Sequence, residues 1–175
     1  MKKIVIVNGV IAGVIVSAMF FITMGLYHKN GNYEGGMLIG YASMLLAFSL
    51  IFVAIKNYRD KYNAGIISFG KGFKIGLYIT LIASTIYVIG WLIDYYCFIP
   101  DFAEKYAATM LNKLKASGAA AAEIAAKTKE MDSFITMYKN PVYVILLTYV
   151  EILPVGLLVS LIAALILKRK VKVAV

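Results

Sequence analysis

The sequence predicts an all-α integral membrane protein, a four-helix bundle with an extramembrane helical hairpin between spans three and four. Two observations carry that prediction. Hydrophobic residues make up 62% of the chain and charged ones 15%, with a mean hydropathy of +0.82, more than a soluble domain needs to fill its core. The apolar residues also fall into four long runs, near 4–27, 37–55, 75–98 and 142–167. Each is about as long as the roughly 20 residues that cross a ~30 Å hydrocarbon slab. At 175 residues the chain has room for one membrane domain, 1–175, in which 101–140 forms the hairpin.

Span one follows Lys2 and Lys3 and is interrupted only by small or mildly polar residues such as Asn8, Ser17 and Thr23. Its apolar run exceeds the ~7–15 residues of a signal-peptide core and lacks a small-x-small cleavage site, so an uncleaved anchor is expected. Gly9, Gly13 and Ser17 recur every four residues, a stripe on which another helix can approach closely. Between His28 and Gly36 the Asn-Gly and Gly-Gly pairs predict a turn, with His28 a solvated loop residue. Span two carries a second small-residue stripe, Gly40, Ser43 and Ala47, and its helix is expected to continue into Lys56–Arg59.

The polar island from Lys56 to Lys74 separates spans two and three, and Ser68 in it is placed to cap the next helix. Gly70, Gly72 and Gly76 point to close packing or a bend at that helix start. Their spacing with Lys71 and Lys74 fits neither the P-loop nor the dinucleotide fingerprint. Trp91, Tyr95 and Tyr96 near the end of span three predict an aromatic girdle at a membrane interface, and Pro100 closes the span.

Residues 101–140 change to a water-soluble composition rich in Ala, Lys and Glu. Asp101 and Glu104 have capping-box spacing, and Phe102, Tyr106, Met110 and Leu114 recur on one helical face. Ser117 and Gly118 break that helix, after which Ile124, Thr128, Met131, Ile135 and Tyr138 share a face of a second. Span four enters after Asn140-Pro141 and ends against Lys168, Arg169, Lys170 and Lys172.

The basic residues orient the spans. Eleven of the 18 Lys and Arg lie at the N-terminus, in the central island and in the C-terminal tail. By the positive-inside rule both termini face the cytoplasm of a bacterial inner membrane, with the hairpin outward. Lys56, Arg59, Lys61, Lys71, Lys74, Lys168, Arg169 and Lys170 are then the expected contacts with anionic lipid head groups. This siting accounts for the net charge of +9 without nucleic acid as a partner. The single cysteine, Cys97, excludes an internal disulfide and a cysteine-based metal cluster, and neither a metal site nor a cofactor is expected.

Two acidic residues fall inside apolar spans, where each would cost about 2.5–3.5 kcal/mol at a helix centre. Asp94 lies six residues before Pro100 and is expected to be hydrated at the interface or bonded to a tyrosine. It shares a stripe with Tyr87, Gly90 and Trp91. Glu151, ten residues after Pro141, falls near the bilayer midplane. Pro154 on the next turn has no amide hydrogen and frees the carbonyl of Val150. Glu151 suits hydrogen bonding to a neighbouring span, with Tyr149, Tyr87, Ser84 or Thr85 as partners, or binding of a cation, proton or ligand.

At GYASML (Gly40 to Leu45), KNYRDK (Lys56 to Lys61), ISFGKGFKIG (Ile67 to Gly76) and EILPVG (Glu151 to Gly156) the chain resembles a bacterial four-span membrane family, the domain of unknown function DUF4199. The resemblance implies the topology over nearly the whole chain, and it implies no activity, substrate, cofactor or catalytic residue. No nucleophile elbow, metal-ligand spacing or phosphate loop is present in the sequence, and an enzyme is not expected. The residues favour a structural or accessory protein that binds a membrane-protein partner or a second copy of itself. The alternative is a small transporter or channel subunit using Glu151 and Asp94.

Overall fold

The computed structural model describes residues 1–30 and 36–169, apart from the side chains of 26–30, 36 and 37. Among the described residues seven helices follow one another: α1 (Lys2–Asn30), α2 (Gly36–Phe48), α3 (Leu50–Tyr62), α4 (Phe69–Cys97), α5 (Phe102–Ala116), α6 (Ala121–Tyr138) and α7 (Pro141–Leu167). Four stretches of the described chain are long and apolar enough to cross a membrane, Lys2–Gly25, Leu38–Tyr62, Phe69–Cys97 and Pro141–Leu167. The predicted turn at His28 starts later, because α1 continues to Asn30; the rest of that turn, and Lys170 and Lys172, lie outside the described residues.

α2 and α3 together make the second span. At Ser49 the backbone N–H is shared between the carbonyls of Leu45 (3.0 Å) and Leu46 (3.2 Å), and the hydroxyl donates to Leu46 O at 2.6 Å. This local tightening separates the two helices without breaking the crossing.

α4 is the axis of the bundle. The α1 stripe packs on it in register: Gly9 faces Ile82, Gly13 faces Ile86, and Ser17 faces Gly90. Residue numbers rise together, so α1 and α4 run parallel. α7 runs antiparallel, with Gly72 against Ala164 and Gly76 against Ser160; so does α3, with Ile55 and Ile51 meeting the same two glycines. Four spans alternating in direction place their odd and even ends on opposite sides.

The glycines are where the helices come closest. A Cβ on Gly156 would lie 2.4 Å from Thr80 Cγ2 and 2.8 Å from Phe48 Cζ, and one on Gly76 would lie 2.7 Å from Ser160 Cβ. Without hydrophobic drive between helices in lipid, such small-residue contacts supply the van der Waals attraction that holds spans together. A buried hydrogen bond between the Thr80 and Ser160 hydroxyls, 3.2 Å, spans the same contact, and Ser160 also bonds the Gly156 carbonyl at 2.7 Å.

One end of the bundle gathers the basic segments. Ile67 N–H donates to Arg169 O at 3.1 Å and Arg169 N–H to Ile67 O at 2.9 Å, while Arg59 Nη1 reaches Leu167 O at 3.3 Å. The polar island and the start of the C-terminal tail are thereby tied together. α4 begins at Phe69, six residues before the predicted span, because Ser68 accepts from the Lys71 N–H at 3.3 Å and caps the helix. At 29 residues α4 is about 44 Å long and overshoots a ~30 Å slab.

At the opposite end α5 and α6 are joined through Gly118, whose φ of +74° suits the turn. The capping box expected at their start does not form. Asp101 makes no side-chain capping bond, and its carboxylate pairs with Lys105 Nζ at 2.8 Å. The buried face of α5 is Ala103 and Ala107, one residue round from the predicted Phe102–Leu114 stripe, whose larger side chains are half-buried.

Candidate ligand cavity between the spans

The predicted aromatic girdle is largely an internal cluster. Trp91 and Tyr95 are 5% and 8% exposed, and of the aromatic residues here Tyr96 and Phe98 stand outside. The reason is a network in which α6 supplies the hydrogen-bond partner and α1 and α5 supply rings. Trp91 Nε1 donates to Tyr138 Oη at 3.1 Å, Tyr95 Oη donates to the Tyr138 carbonyl at 3.4 Å, and Trp91 meets Phe20 and Phe102 edge-to-face with centroids 5.2 and 4.9 Å apart. Burial pushes the Tyr138 phenol above its usual range, and the Trp91 hydrogen bond offsets part of that shift.

Between this cluster and the middle of the bundle lies a cavity of about 600 Å³. α1 contributes Phe20 and Met24, α2 contributes Tyr41 and Met44, α4 contributes Tyr87 and Trp91, and α7 contributes Thr148 and Glu151. Phe102, Tyr106, Phe134 and Tyr138 of α5 and α6 line it too. Outside the cavity lining, Thr85 Oγ1 and Tyr149 Oη share a hydrogen bond of 2.9 Å between α4 and α7. Tyr41, Leu147 and Val150 line the cavity and are also exposed, which puts an opening between α2 and α7 on the flank of the bundle.

Among the described residues Glu151 is the charged one that lines this cavity. It is exposed as a residue and lines the cavity. Among the described residues it makes no hydrogen bond and no ion pair. It lies within electrostatic reach of the Tyr87 and Tyr138 hydroxyls. Of the partners expected for it, Tyr149 and Thr85 are engaged with each other, and Ser84 is fully buried. The cavity hydroxyls of Thr23, Ser43 and Thr148 each donate to the carbonyl four residues back, at 2.7 Å. They offer a ligand acceptor lone pairs only.

Asp94 is 6% exposed, so of its two expected settings hydration at the interface does not apply, and it is not among the residues lining the cavity. Its backbone carbonyl accepts from the amides of Phe98 and Ile99 and closes α4. Tyr87 and Trp91 of the same stripe face the cavity; Pro154 lies inside α7 one turn beyond Glu151. Of the basic residues, Lys71 Nζ sits 5.2 Å from the Tyr58 ring and Lys74 Nζ 5.9 Å from the Tyr78 ring, while Lys56, Lys61, Lys168 and Arg169 are exposed. Lys170 lies outside the described residues.

The family described as "Protein of unknown function (DUF4199)" matches residues 8–169. The chain belongs to this family. In DUF4199 terms the match runs from the first span through the start of the C-terminal tail and contains every cavity residue named above. No curated protein and no solved structure matches the chain. The cavity is the feature that sequence reasoning missed: Phe102 and Tyr138 read as hairpin-face residues, and only their convergence with Phe20, Tyr41 and Phe134 around Glu151 marks the site.

Proposed function

We propose that this protein is a multi-pass protein of a bacterial cytoplasmic membrane that binds a small amphiphilic molecule in the cavity, as the binding step of a small transporter. The unpartnered Glu151 carboxylate in an aromatic, membrane-level cavity is the observation that carries the reading. Ionisable groups within spans are costly and are retained where they meet a substrate, an ion or a partner. Large, mainly apolar pockets with few convergent polar groups are the usual form of small-molecule sites. A cavity within one chain also removes the need for oligomerisation that four thin spans suggest.

The basic end faces the cytoplasm in this reading, with both termini, and its exposed Lys56, Lys61, Lys168 and Arg169 meet anionic head groups. α5 and α6 form the outward hairpin that covers the far end of the cavity. A binding role rather than catalysis is supported by the chemistry at hand, because one carboxylate with no base or nucleophile beside it lacks an acid–base pair.

Glu151→Gln, expressed in the native host, tests the reading against an accessory role. Normal abundance with lost fitness supports a working site at Glu151. Reduced abundance makes Glu151 a structural residue, and no phenotype at all removes it as a working site; either result returns the accessory role to the front.

A further inference from the structure

From the charge and shape of the cavity we infer that its ligand is a lipophilic organic cation drawn from the bilayer. This rests on the binding reading above and narrows it to one chemical class.

Three features on the cavity wall select that class. The first is charge. Among the described residues Glu151 is the one carboxyl lining the cavity, and neither Lys nor Arg lines it to neutralise that charge. An anion would meet uncompensated repulsion there, whereas a cation removes the cost of the lone carboxylate. The second is the aromatic wall. Eight of the eighteen lining residues are Phe, Tyr or Trp. Cations are attracted to ring faces within about 6 Å of the centroid, most strongly when water is excluded. The edge-to-face contacts of Phe20 with Tyr87 (5.6 Å) and with Trp91 (5.2 Å) fix these rings before any ligand arrives. The third is size and access. About 600 Å³ is far more than a bare metal ion fills, and among the described residues no second carboxylate, His or Cys joins Glu151 to make the anionic cluster that a hard divalent cation demands. The opening beside Tyr41, Leu147 and Val150 lies on the apolar flank of the bundle, so the approach is through lipid.

Trp91 is the only tryptophan of the chain and sits in the cavity wall, so the full chain in neutral detergent micelles carries its own reporter. Three probes are titrated against Trp91 fluorescence: tetraphenylphosphonium, its near-isostere of opposite charge tetraphenylborate, and a neutral brominated monoacylglycerol. Saturable quenching by the phosphonium, at least about tenfold tighter than by the borate, is expected, with Glu151→Gln weakening the phosphonium by about tenfold or more and leaving the borate no weaker. The comparison of charge signs uses the wild-type chain and holds even if the variant fails to fold.

Two results would overturn the inference in different ways. Saturable quenching by the cation, anion and neutral lipid alike, insensitive to Glu151→Gln, refutes the cation preference and leaves the binding reading standing. No saturable quenching by any probe refutes both.

Discussion

Alanine at Gly156 should force α4 and α7 apart. The new methyl carbon would stand 2.4 Å from Thr80 Cγ2, 2.8 Å from Thr80 Oγ1 and 2.8 Å from Phe48 Cζ, against the ~3.5–4.0 Å of relaxed carbon contacts. Phe48 is 1% exposed and Thr80 fully buried, so neither has room to retreat. Thr80 is β-branched and stiff at χ1, and rotating it would break its 3.2 Å hydrogen bond to Ser160. Overpacking of this kind costs about 1–3 kcal/mol, and a lost neutral hydrogen bond about 1 kcal/mol. The helix propensity gained by Gly→Ala returns up to about 1 kcal/mol, leaving a net destabilisation of about 2 kcal/mol. Unfolding in mixed micelles, followed by Trp91 fluorescence, measures it. Gly40→Ala is the control, because nothing lies within 4 Å of a Cβ there, and it should be neutral or stabilising. If Gly156→Ala unfolds at the wild-type midpoint, or shifts like Gly40→Ala, the close α4–α7 contact is wrong.

Three further predictions rest on separate contacts. In a double-mutant cycle, Thr80→Val and Ser160→Ala should couple by about 0.5–1 kcal/mol, the range of interhelical hydroxyl bonds in membranes; additive effects would place the two hydroxyls apart. Tyr138→Phe removes the acceptor of Trp91 Nε1 and should destabilise by about 1–2 kcal/mol while shifting Trp91 emission. The same phenol sets a pH dependence: burial raises its pKa in the fold, so above about pH 10 the unfolded chain loses the proton first and stability falls as pH rises. Unfolding midpoints from pH 8 to 11 should therefore decline less in Tyr138→Phe than in wild type. Replacing Lys56, Lys61 and Lys168 by Gln should weaken association with anionic over zwitterionic lipid by about 1 kcal/mol per lysine at low salt, as read by lipid-exchange assays; no change would remove head-group contact from this end.

The small-residue stripe of span one was legible because lipid-exposed helices pack through such stripes whatever the partner, and Gly9, Gly13 and Ser17 do meet a neighbour. The Ser68 cap and the Gly118 break were legible for a local reason, since each is decided by the residue's own backbone and side chain. The girdle and the Asp101–Glu104 box misread. Trp91 and Tyr95 satisfy the composition of an interface equally well when another helix supplies their hydrogen bonds, and Asp101 had a lysine one turn on as a rival partner.

By itself the sequence determined the number of spans, their alternation and the gathering of positive charge between them, because those depend on hydrocarbon thickness and on the cost of moving charge across it. Tertiary structure alone decided which residues surround Glu151. Tyr41, Tyr87, Phe102 and Tyr138 come from four helices far apart in the chain, and their meeting depends on helix rotation. That rotation is set by sub-ångström fit at Gly76, Gly156, Thr80 and Ser160, a pairwise quantity that no single helix encodes.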